Sequence, residues 1–235
     1  MISLHDMFTN DQQIAYNHFC NGDNLFITGQ AGTGKSFLLN ECIANAFTKR
    51  KTVGVTSTSG TSAVLIDGVT VHSYFGIGTG RDGLTKLMPR VMRNKPAYTR
   101  WLTTDIIIID EISMMDATIF EKLECLGRLL RRSSEFFGGM QVVLVGDLYQ
   151  LPPVAYAKYG LLINSKSFLR EYGSPDSPGR IVELTEIVRQ RDPDFQTMLS
   201  ELRVGRMTPF SISLLESRMI EPPKGAHIEP TILYS

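Results

Sequence analysis

The sequence predicts an α/β fold: a three-layer α/β/α sandwich in which helices cover both faces of a mainly parallel sheet. Short runs of apolar and β-branched residues alternate with helical stretches along the chain, a pattern typical of parallel sheets. The run Asp105–Ile109 lacks polar alternation, which indicates a strand buried on both faces. A glycine-rich turn separates the first strand from a long helix. In such folds, the loops at the carboxyl ends of the strands form the functional site.

Five strands and four helices follow from the pattern. The strands are predicted at 24–28, 52–56, 105–109, 141–145 and 181–184. One helix runs from the glycine-rich turn to about Phe47, and a shorter one begins near Ser59. A third helix carries a stripe of Ile119, Leu123, Leu126 and Leu130, and a fourth spans 192–204. The segment 76–103 begins with four closely spaced glycines and is predicted to be irregular, which makes it a candidate insertion.

The composition excludes several classes of protein. With 235 residues, 43% of them hydrophobic and 20% charged, the chain suits one α/β domain, or one domain with a small insertion. No apolar run approaches the ~20 residues that a membrane span needs, and the amino terminus resembles no secretory or transit peptide. Three cysteines without metal-type spacing indicate a reducing compartment. We therefore expect a soluble, intracellular protein of the cytoplasm or nucleus, with no membrane partner.

Positive charge is concentrated between residues 81 and 100, although the whole chain has a net charge of zero. This segment has six basic residues against Asp82 alone, a net charge of +5. Such a segment forms either an ordinary solvated face or a contact surface for the phosphates of a nucleic acid. The charge pattern leaves both interpretations open.

The glycine-rich turn matches the phosphate-binding pattern G-x-x-x-x-G-K-[ST]. It consists of Gly29, Gln30, Ala31, Gly32, Thr33, Gly34, Lys35 and Ser36. Glycines let the backbone curl so that its N–H groups point at phosphate oxygens, and the helix that follows adds its positive amino-terminal end. In this pattern the lysine reaches the β- and γ-phosphates of ATP, and the serine hydroxyl binds Mg²⁺. Its place between a strand and a helix is the context that supports nucleotide binding.

Two adjacent acids, Asp110 and Glu111, close the buried third strand. Asp110 suits the Mg²⁺ shell opposite Ser36, and Glu111 suits polarisation of an attacking water, so both are candidate hydrolytic residues. The alternative is a strand end with two solvated acids. The loop after the fourth strand contains a third candidate, Gln150, whose amide could sense the γ-phosphate. The alternative for Gln150 is a plain proline-containing turn.

Five stretches, in this order along the chain, resemble the successive motifs of the PIF (petite integration frequency) and RecD-like helicases, and the resemblance as a whole covers roughly residues 8–206. These are GQAGTGKS, TSTSGTSAVLIDGVTVHSYFGIG, IIIIDEISMMD, FFGGMQVVLVGDLYQLPPV and LTEIVRQRDPDFQTMLSELRVG. The resemblance implies a RecA-like P-loop fold. It also implies an ATPase of helicase superfamily one that moves five-prime to three-prime on single-stranded DNA and acts in genome maintenance.

The resemblance adds two residues to the nucleotide site. The stretch from Phe8 to Gln12 is similar to the opening motif of the family, in which a glutamine reads the adenine edge. Gln12 fits best, although its neighbour Gln13 leaves the register ambiguous. Arg189 is similar to the arginine that contacts the γ-phosphate, where its charge would offset the transition-state oxygens. The alternative for Arg189 is a surface residue beside Arg191.

The resemblance also implies a path for DNA. Two stretches are similar to the strand-tracking motifs, and the candidate contacts are Thr56, Ser57, Ser59, Gly60, Thr61, His72, Ser73 and Phe75. Hydroxyl and backbone N–H groups suit phosphate contacts, and Phe75 or Tyr74 could stack on a base. Core packing of either aromatic ring and a structural role for His72 remain alternatives. The basic segment at about 77–100 lies where the family has a small strand-separating insertion, which makes Arg90, Arg93 and Lys95 further candidates.

The chain departs from the family at its carboxyl end. Helicases of this family have two RecA-like lobes with ATP between them, whereas here 1–206 form one lobe and 207–235 a linker and the start of a second. The expected ligands are ATP, Mg²⁺, single-stranded DNA and DNA junctions, and the expected state is monomeric. One lobe alone is expected to bind ATP weakly and to unwind little DNA.

Two other functions remain possible from the sequence. One is a non-catalytic module that binds ATP or DNA. The other is an unrelated P-loop ATPase, such as a transposition or loader protein, although its ring-forming versions need a carboxyl-terminal arginine sensor that is not evident here.

Overall fold

A six-stranded sheet forms the centre of the computed structural model, which describes residues 7–154 and 156–219. The strands are β1 (Leu25–Thr28), β2 (Val53–Ser57), β3 (Val69–Thr70), β4 (Ile106–Asp110), β5 (Gln141–Gly146) and β6 (Arg180–Glu183). Their order is β3-β2-β4-β5-β1-β6, and every described pairing is parallel. The predicted parallel sheet is confirmed, and β3 is a two-residue strand that the pattern did not predict.

Eleven helices accompany these strands in the described residues. They are α1 (Asn10–Asn21), α2 (Lys35–Thr48), α3 (Gly60–Leu65), α4 (Val71–Phe75), α5 (Leu84–Arg93), α6 (Lys95–Thr103), α7 (Ala117–Arg131), α8 (Tyr156–Tyr159), α9 (Lys166–Tyr172), α10 (Pro193–Arg203) and α11 (Pro209–Glu216). Short 3₁₀ turns lie at Ile112–Met114, Phe136–Gly138 and Leu162–Asn164. None of the helices in these ranges is long and apolar enough to cross a membrane.

Side chains alternate along β4 between two separate hydrophobic clusters. Ile107 and Ile109 join a cluster with α4 to α7 and α9, whereas Ile106 and Ile108 join a cluster with α1 and α2. All four are 5% exposed or less. Burial of each side chain contributes about 1.5–3 kcal/mol, so β4 anchors both helical layers. The predicted three-layer architecture is therefore confirmed. The strand predicted at 105–109, which is β4 in the structure, is buried on both faces as expected.

The register brings three strand ends to one edge of the sheet. Thr28 at the end of β1 pairs with Gly146 at the end of β5, and Ile109 of β4 pairs with Leu144 of β5. The glycine-rich turn, the acid pair and the loop with Gln150 leave the sheet directly after these ends. The fold thus collects the three candidate segments at the carboxyl edge, where parallel sheets place their sites.

The segment 76–103 is more regular than predicted. It contains α5 and α6, and Leu87, Val91 and Trp101 on these helices are fully buried. The Trp101 indole Nε1 donates to the Phe75 carbonyl at 3.0 Å. The four glycines suggested an irregular segment, but they precede the helices, and α5 contains Pro89 within its length. A DNA-facing insertion at about 77–100 stays a prediction.

The chain divides into two compact units between Arg189 and Gln190. The first contains the sheet with α1 to α9, and the second contains α10 and α11. The sequence-based boundary at residue 206 stays a prediction and lies within the second unit. Most of the predicted start of a second lobe, from 220 onwards, lies outside the described residues.

Candidate active site

The glycine-rich turn forms a tight loop between β1 and α2. Gly29, Gly32 and Gly34 have φ values of +145°, +89° and +81°, conformations that side-chain-bearing residues rarely adopt. A Cβ at Gly29 would also collide with the Leu184 carbonyl. The 14-residue helix α2 begins at Lys35, so its positive amino-terminal end faces the loop. This arrangement suits phosphate binding.

Lys35 lies across the interior of the loop. Its Nζ donates to the carbonyl of Gly29 at 2.7 Å and to that of Gln30 at 2.9 Å. Thr33 closes the same turn, because its hydroxyl donates to Gln30 O at 3.0 Å and its side chain is buried. The ammonium group is thus held where phosphates would enter the loop.

Gln12, rather than Gln13, contacts the glycine-rich loop. Its side chain is 2% exposed, with Nε2 donating to Thr33 O at 3.1 Å and Oε1 accepting from Thr9 N at 3.1 Å. Gln13 instead donates to Asn17 on the outer surface of α1. The ambiguity in register is therefore settled for the loop contact, while recognition of adenine by Gln12 stays a prediction.

The acid pair ends β4 in an unusual conformation. The Asp110 Oδ1 accepts the Glu111 N–H at 2.9 Å, and burial raises the pKa of Asp110 above its ordinary value. Glu111 has φ +52° and ψ +44°, a left-handed conformation that costs on the order of 1–3 kcal/mol for a residue of this kind. The surrounding contacts must hold it there. Such local strain is common at active sites.

A cleft of about 330 Å³ brings eight of the predicted residues together, and three of these are Ala31, Gly32 and Gly34. It is lined by Lys35, Ser36, Glu111, Gln150 and Arg189, together with Ala31, Gly32, Gly34, Phe37, Asp147 and Val188. A cation, hydroxyl, carboxylate, amide and guanidinium therefore surround one space next to a phosphate-type loop. Gln12, Gly29, Gln30, Thr33 and Asp110 do not line this cleft, and they support its walls instead.

The segment with Arg189 is joined to the glycine-rich loop through the backbone. Val188 N and Arg189 N donate to Gly32 O at 2.8 and 3.1 Å. These bonds bring a residue from beyond β6 to the phosphate side of the loop. Arg189 therefore lies beside the glycine-rich loop, and its contact with a γ-phosphate stays a prediction.

Asp147 is a cleft residue that the sequence analysis did not select. It directly follows β5 and is 1% exposed, and its Oδ1 accepts Tyr149 N at 3.1 Å. Its carbonyl accepts Gln150 N–H at 2.9 Å, so this turn fixes the backbone position from which the Gln150 side chain extends. The signal that could have found it is an acid immediately after a buried parallel strand at the same edge as Asp110.

The donor set suits a Mg²⁺ ion bound together with a nucleotide. Mg²⁺ uses hard oxygen ligands and commonly takes one or two from the protein and the rest from phosphates and water. The described residues contain no group of three or more acids, histidines or cysteines that could hold a metal unaided. Ser36 offers an exposed hydroxyl, and Asp110 offers a carboxylate at the end of β4. Ser36 lines the cleft and would hold the ion, whereas Asp110 does not line it, so its role as a Mg²⁺ ligand stays a prediction.

Three of the predicted DNA contacts are not supported, because their side chains are completely buried. The Thr56 hydroxyl donates to Ile108 O at 2.6 Å, and the Ser57 hydroxyl donates to Asp110 O at 3.3 Å, so both serve the sheet. Phe75 packs against Trp101 with ring centroids 4.1 Å apart. Tyr74 is also buried, with 8% exposure. The core-packing alternative is correct for both aromatic rings.

The other predicted DNA residues remain accessible. Gly60, Thr61 and Ser73 are exposed, and Ser59 is partly exposed. His72 is half-buried, and burial lowers its pKa, with a further contribution from Arg81. A second groove, of about 610 Å³, is lined by Ser59, Thr61, Ser62, Glu111, Ser113, Met114, Tyr149, Gln150, Leu151 and Pro152. This groove contacts residues of the cleft on one side and the predicted strand-tracking loop on the other.

The basic residues of 81–100 have different surroundings. Arg90 pairs with Asp82 at 2.7 Å, and Arg100 donates to the Tyr74 and Ser73 carbonyls at 2.7 and 3.0 Å. Arg93 and Lys95 are exposed. Arg100 thus supports the backbone of α4, whereas Arg90 is exposed like Arg93 and Lys95, so the predicted phosphate contacts of Arg90, Arg93 and Lys95 stay predictions.

Comparisons with known proteins agree with this geometry. The family model described as PIF1-like helicase matches residues 7–209. The chain belongs to the PIF1-like helicase family. It is 40% identical over 195 residues to the ATP-dependent DNA helicase PIF1 of Emericella nidulans. The aligned region covers 81% of this chain and 26% of that protein. The chain thus spans about a quarter of the length of this curated relative.

Solved structures of the PIF1-like family share the fold. The crystal structure of Pif1 helicase from Candida albicans has a TM-score of 0.88 and 36% identity, covering 97% of this chain and 51% of that one. A Pif1 helicase from Bacteroides, solved in complex with ADP-AlF3 and ssDNA, has a TM-score of 0.74 and 29% identity, covering 92% and 52%. The RecA-like P-loop fold predicted from the sequence is therefore confirmed.

Proposed function

We propose that this chain is an ATP-hydrolysing lobe of a DNA helicase that moves five-prime to three-prime on single-stranded DNA. The observation that carries the proposal is the cleft shared by Lys35, Glu111 and Arg189. A phosphate loop alone binds nucleotide, whereas a carboxylate and a guanidinium in the same cleft suit attack of water on a γ-phosphate. Membership of the PIF1-like family supports DNA as the partner.

Each cleft residue has a distinct task in this proposal. Lys35 binds the β- and γ-phosphates, and Arg189 offsets the charge that develops on the transferred group. Glu111 accepts a proton from the attacking water. The Gln150 amide donates a hydrogen bond to the γ-phosphate, which is present in ATP and absent from ADP. Ser36 and Asp110 hold Mg²⁺, which neutralises phosphate charge when it is bound.

Movement along DNA needs a second domain that forms the other wall of the nucleotide cleft. Motor action arises when domains close and open around the nucleotide, and the described sheet provides one wall of the cleft. We therefore expect this chain to hydrolyse ATP slowly and to separate little duplex DNA. The substrates we propose are single strands and DNA junctions.

Single-turnover hydrolysis tests the proposal, with the chain in excess over ATP and with Mg²⁺ present in excess over both. We expect product formation that oligothymidylate accelerates and that Lys35→Ala abolishes. Binding of ATP without hydrolysis, in the presence or absence of DNA, would instead identify a non-catalytic module. Efficient strand displacement by the chain would contradict the need for a second wall.

A further inference from the structure

Thr58 connects the acid pair to the loop that carries the predicted strand-tracking residues. It lies one residue beyond β2 and immediately before Ser59. The Thr58 hydroxyl donates to Glu111 O at 2.7 Å, and its backbone N–H donates to Asp110 O at 3.2 Å. One residue thus holds the main chain of both acids, although it lies 53 positions away from Glu111.

The Thr58 hydroxyl donates to the main chain of Glu111, whose conformation is strained. Glu111 has φ +52°, in the left-handed region that residues with a Cβ rarely adopt. Its carbonyl accepts the Thr58 hydroxyl and also Met114 N at 3.2 Å. Removing a donor from this carbonyl weakens the hold on the conformation, and with it the placement of the carboxylate in the cleft.

Thr58 does not line the second groove itself, but the next residue, Ser59, does. Ser59 and Thr61 line this groove together with Glu111. The Ser59 hydroxyl lies 2.7 Å from that of Ser62 and 3.2 Å from that of Thr61, so these hydroxyls form a connected set. A strand of phosphates in the groove would hydrogen-bond this set, and the set follows Thr58 in the chain without an intervening residue.

We propose that Thr58 is a positioning residue through which single-stranded DNA in this groove sets the conformation of Glu111. The inference rests on the proposed function, because it concerns DNA stimulation of the same hydrolytic site. DNA orders the loop that begins at Ser59, the ordered loop fixes the Thr58 hydroxyl on Glu111 O, and the carboxylate then stays where water attacks. Thr58 contacts neither nucleotide nor DNA in this account.

Three substitutions separate the hydroxyl from the shape of the side chain. Thr58→Val keeps the β-branched shape and removes the donor, Thr58→Ala removes both, and Thr58→Ser keeps the donor. Thr48→Val at the end of α2 is the matched control, because the exposed Thr48 hydroxyl also donates to a backbone carbonyl, that of Asn45, at 2.7 Å. Single-turnover ATP hydrolysis is measured with and without oligothymidylate, alongside binding of a fluorescent ATP analogue and of the oligonucleotide.

We expect Thr58→Val and Thr58→Ala to lose about tenfold in the acceleration by DNA, with both binding constants changed less than about twofold. Thr58→Ser is expected to restore the acceleration, and Thr48→Val to leave it unchanged. A structural defect would lower binding and thermal stability together, which this pattern excludes.

Three results would overturn the coupling. Full acceleration in Thr58→Val would show that the hydroxyl is unnecessary, and a folded Thr58→Ser that remains unaccelerated would show that a donor is insufficient. A wild-type chain that hydrolyses ATP at the same rate with and without DNA would also overturn it while leaving the ATPase intact. Absence of hydrolysis in every sample would instead refute the proposed function itself, and the coupling with it.

Discussion

The Gln12 amide donates from Nε2 to the Thr33 carbonyl at 3.1 Å and so joins the first helix to the phosphate-type loop. The same side chain accepts the Thr9 N–H at 3.1 Å and completes the cap of α1. Both ends of one buried amide are therefore occupied by backbone groups. The Gln12 side chain therefore links the amino terminus of α1 to the loop through two hydrogen bonds.

Replacement of Gln12 by alanine is expected to reduce the free energy of unfolding by about 1–3 kcal/mol. The Thr33 carbonyl would lose its buried donor, and such an unpaired group costs about that much. Urea denaturation measures the change. Gln13→Ala is the matched control, because it removes a surface contact with Asn17. Equal losses for the two variants would contradict the assigned register.

Lys35→Ala is expected to weaken binding of an ATP analogue by about 10- to 100-fold, because charge-assisted hydrogen bonds contribute about 1.5–3 kcal/mol. A fluorescent analogue titrated in Mg²⁺ buffer gives the affinity. Lys49→Ala, which changes an exposed lysine just after the same helix, should bind like the wild type. Unchanged affinity in Lys35→Ala would exclude the loop as the phosphate site.

Asp110 gives a pH dependence of stability in magnesium-free buffer. Burial raises its pKa above the ordinary value of 3.8, so the folded state holds this proton more tightly than the unfolded state. Its stabilising contribution is complete below pH 3.8 and is lost as the pH rises through the folded pKa. Asp110→Asn, which keeps an acceptor for Glu111 N, should therefore stabilise the chain more at pH 7 than at low pH.

Urea unfolding of the wild type and Asp110→Asn across this range measures the difference. A gap in the free energy of unfolding that shrinks with rising pH would show that the buried carboxylate is not the cause. The same substitution should weaken nucleotide binding that depends on Mg²⁺, since it removes a hard anionic ligand.

Phe75 and Thr61 should respond to alanine substitution in opposite ways. Phe75 is completely buried against Trp101, so Phe75→Ala is expected to cost about 3–5 kcal/mol of stability. Thr61 is exposed, so Thr61→Ala should keep stability and weaken single-stranded DNA binding. Denaturation and fluorescence anisotropy with oligothymidylate give the two readouts. Intact stability in Phe75→Ala would contradict its place in the core.

Much of the fold follows from local pattern. Unbroken apolar runs such as 106–109 identify strands buried on both faces, and the glycine-lysine-serine spacing identifies the phosphate loop. Parallel connectivity then places the strand ends together without further information. These features depend on residues close in sequence, which is why they could be predicted.

The remaining features depend on contacts between distant residues. Thr56 and Ser57 look like surface hydroxyls in sequence, but β2 continues through Ser57 and turns both toward backbone acceptors. Phe75 is indistinguishable from a stacking aromatic until Trp101 covers it. Asp147 follows a buried strand just as Asp110 ends one, but its place in the cleft depends on how the loop after β5 folds. Tertiary packing decides such positions, so pattern alone leaves them open.

Glu111→Gln tests the central claim most directly, because it removes the proposed base while preserving size and hydrogen-bonding capacity. Glu135→Gln, an exposed acid, is the matched control. Single-turnover ATP hydrolysis and binding of an ATP analogue are measured for both with saturating oligothymidylate. The hydrolytic cleft predicts undiminished binding and a rate lowered about 10²–10⁴-fold in Glu111→Gln alone. Hydrolysis at the wild-type rate in Glu111→Gln would contradict the claim.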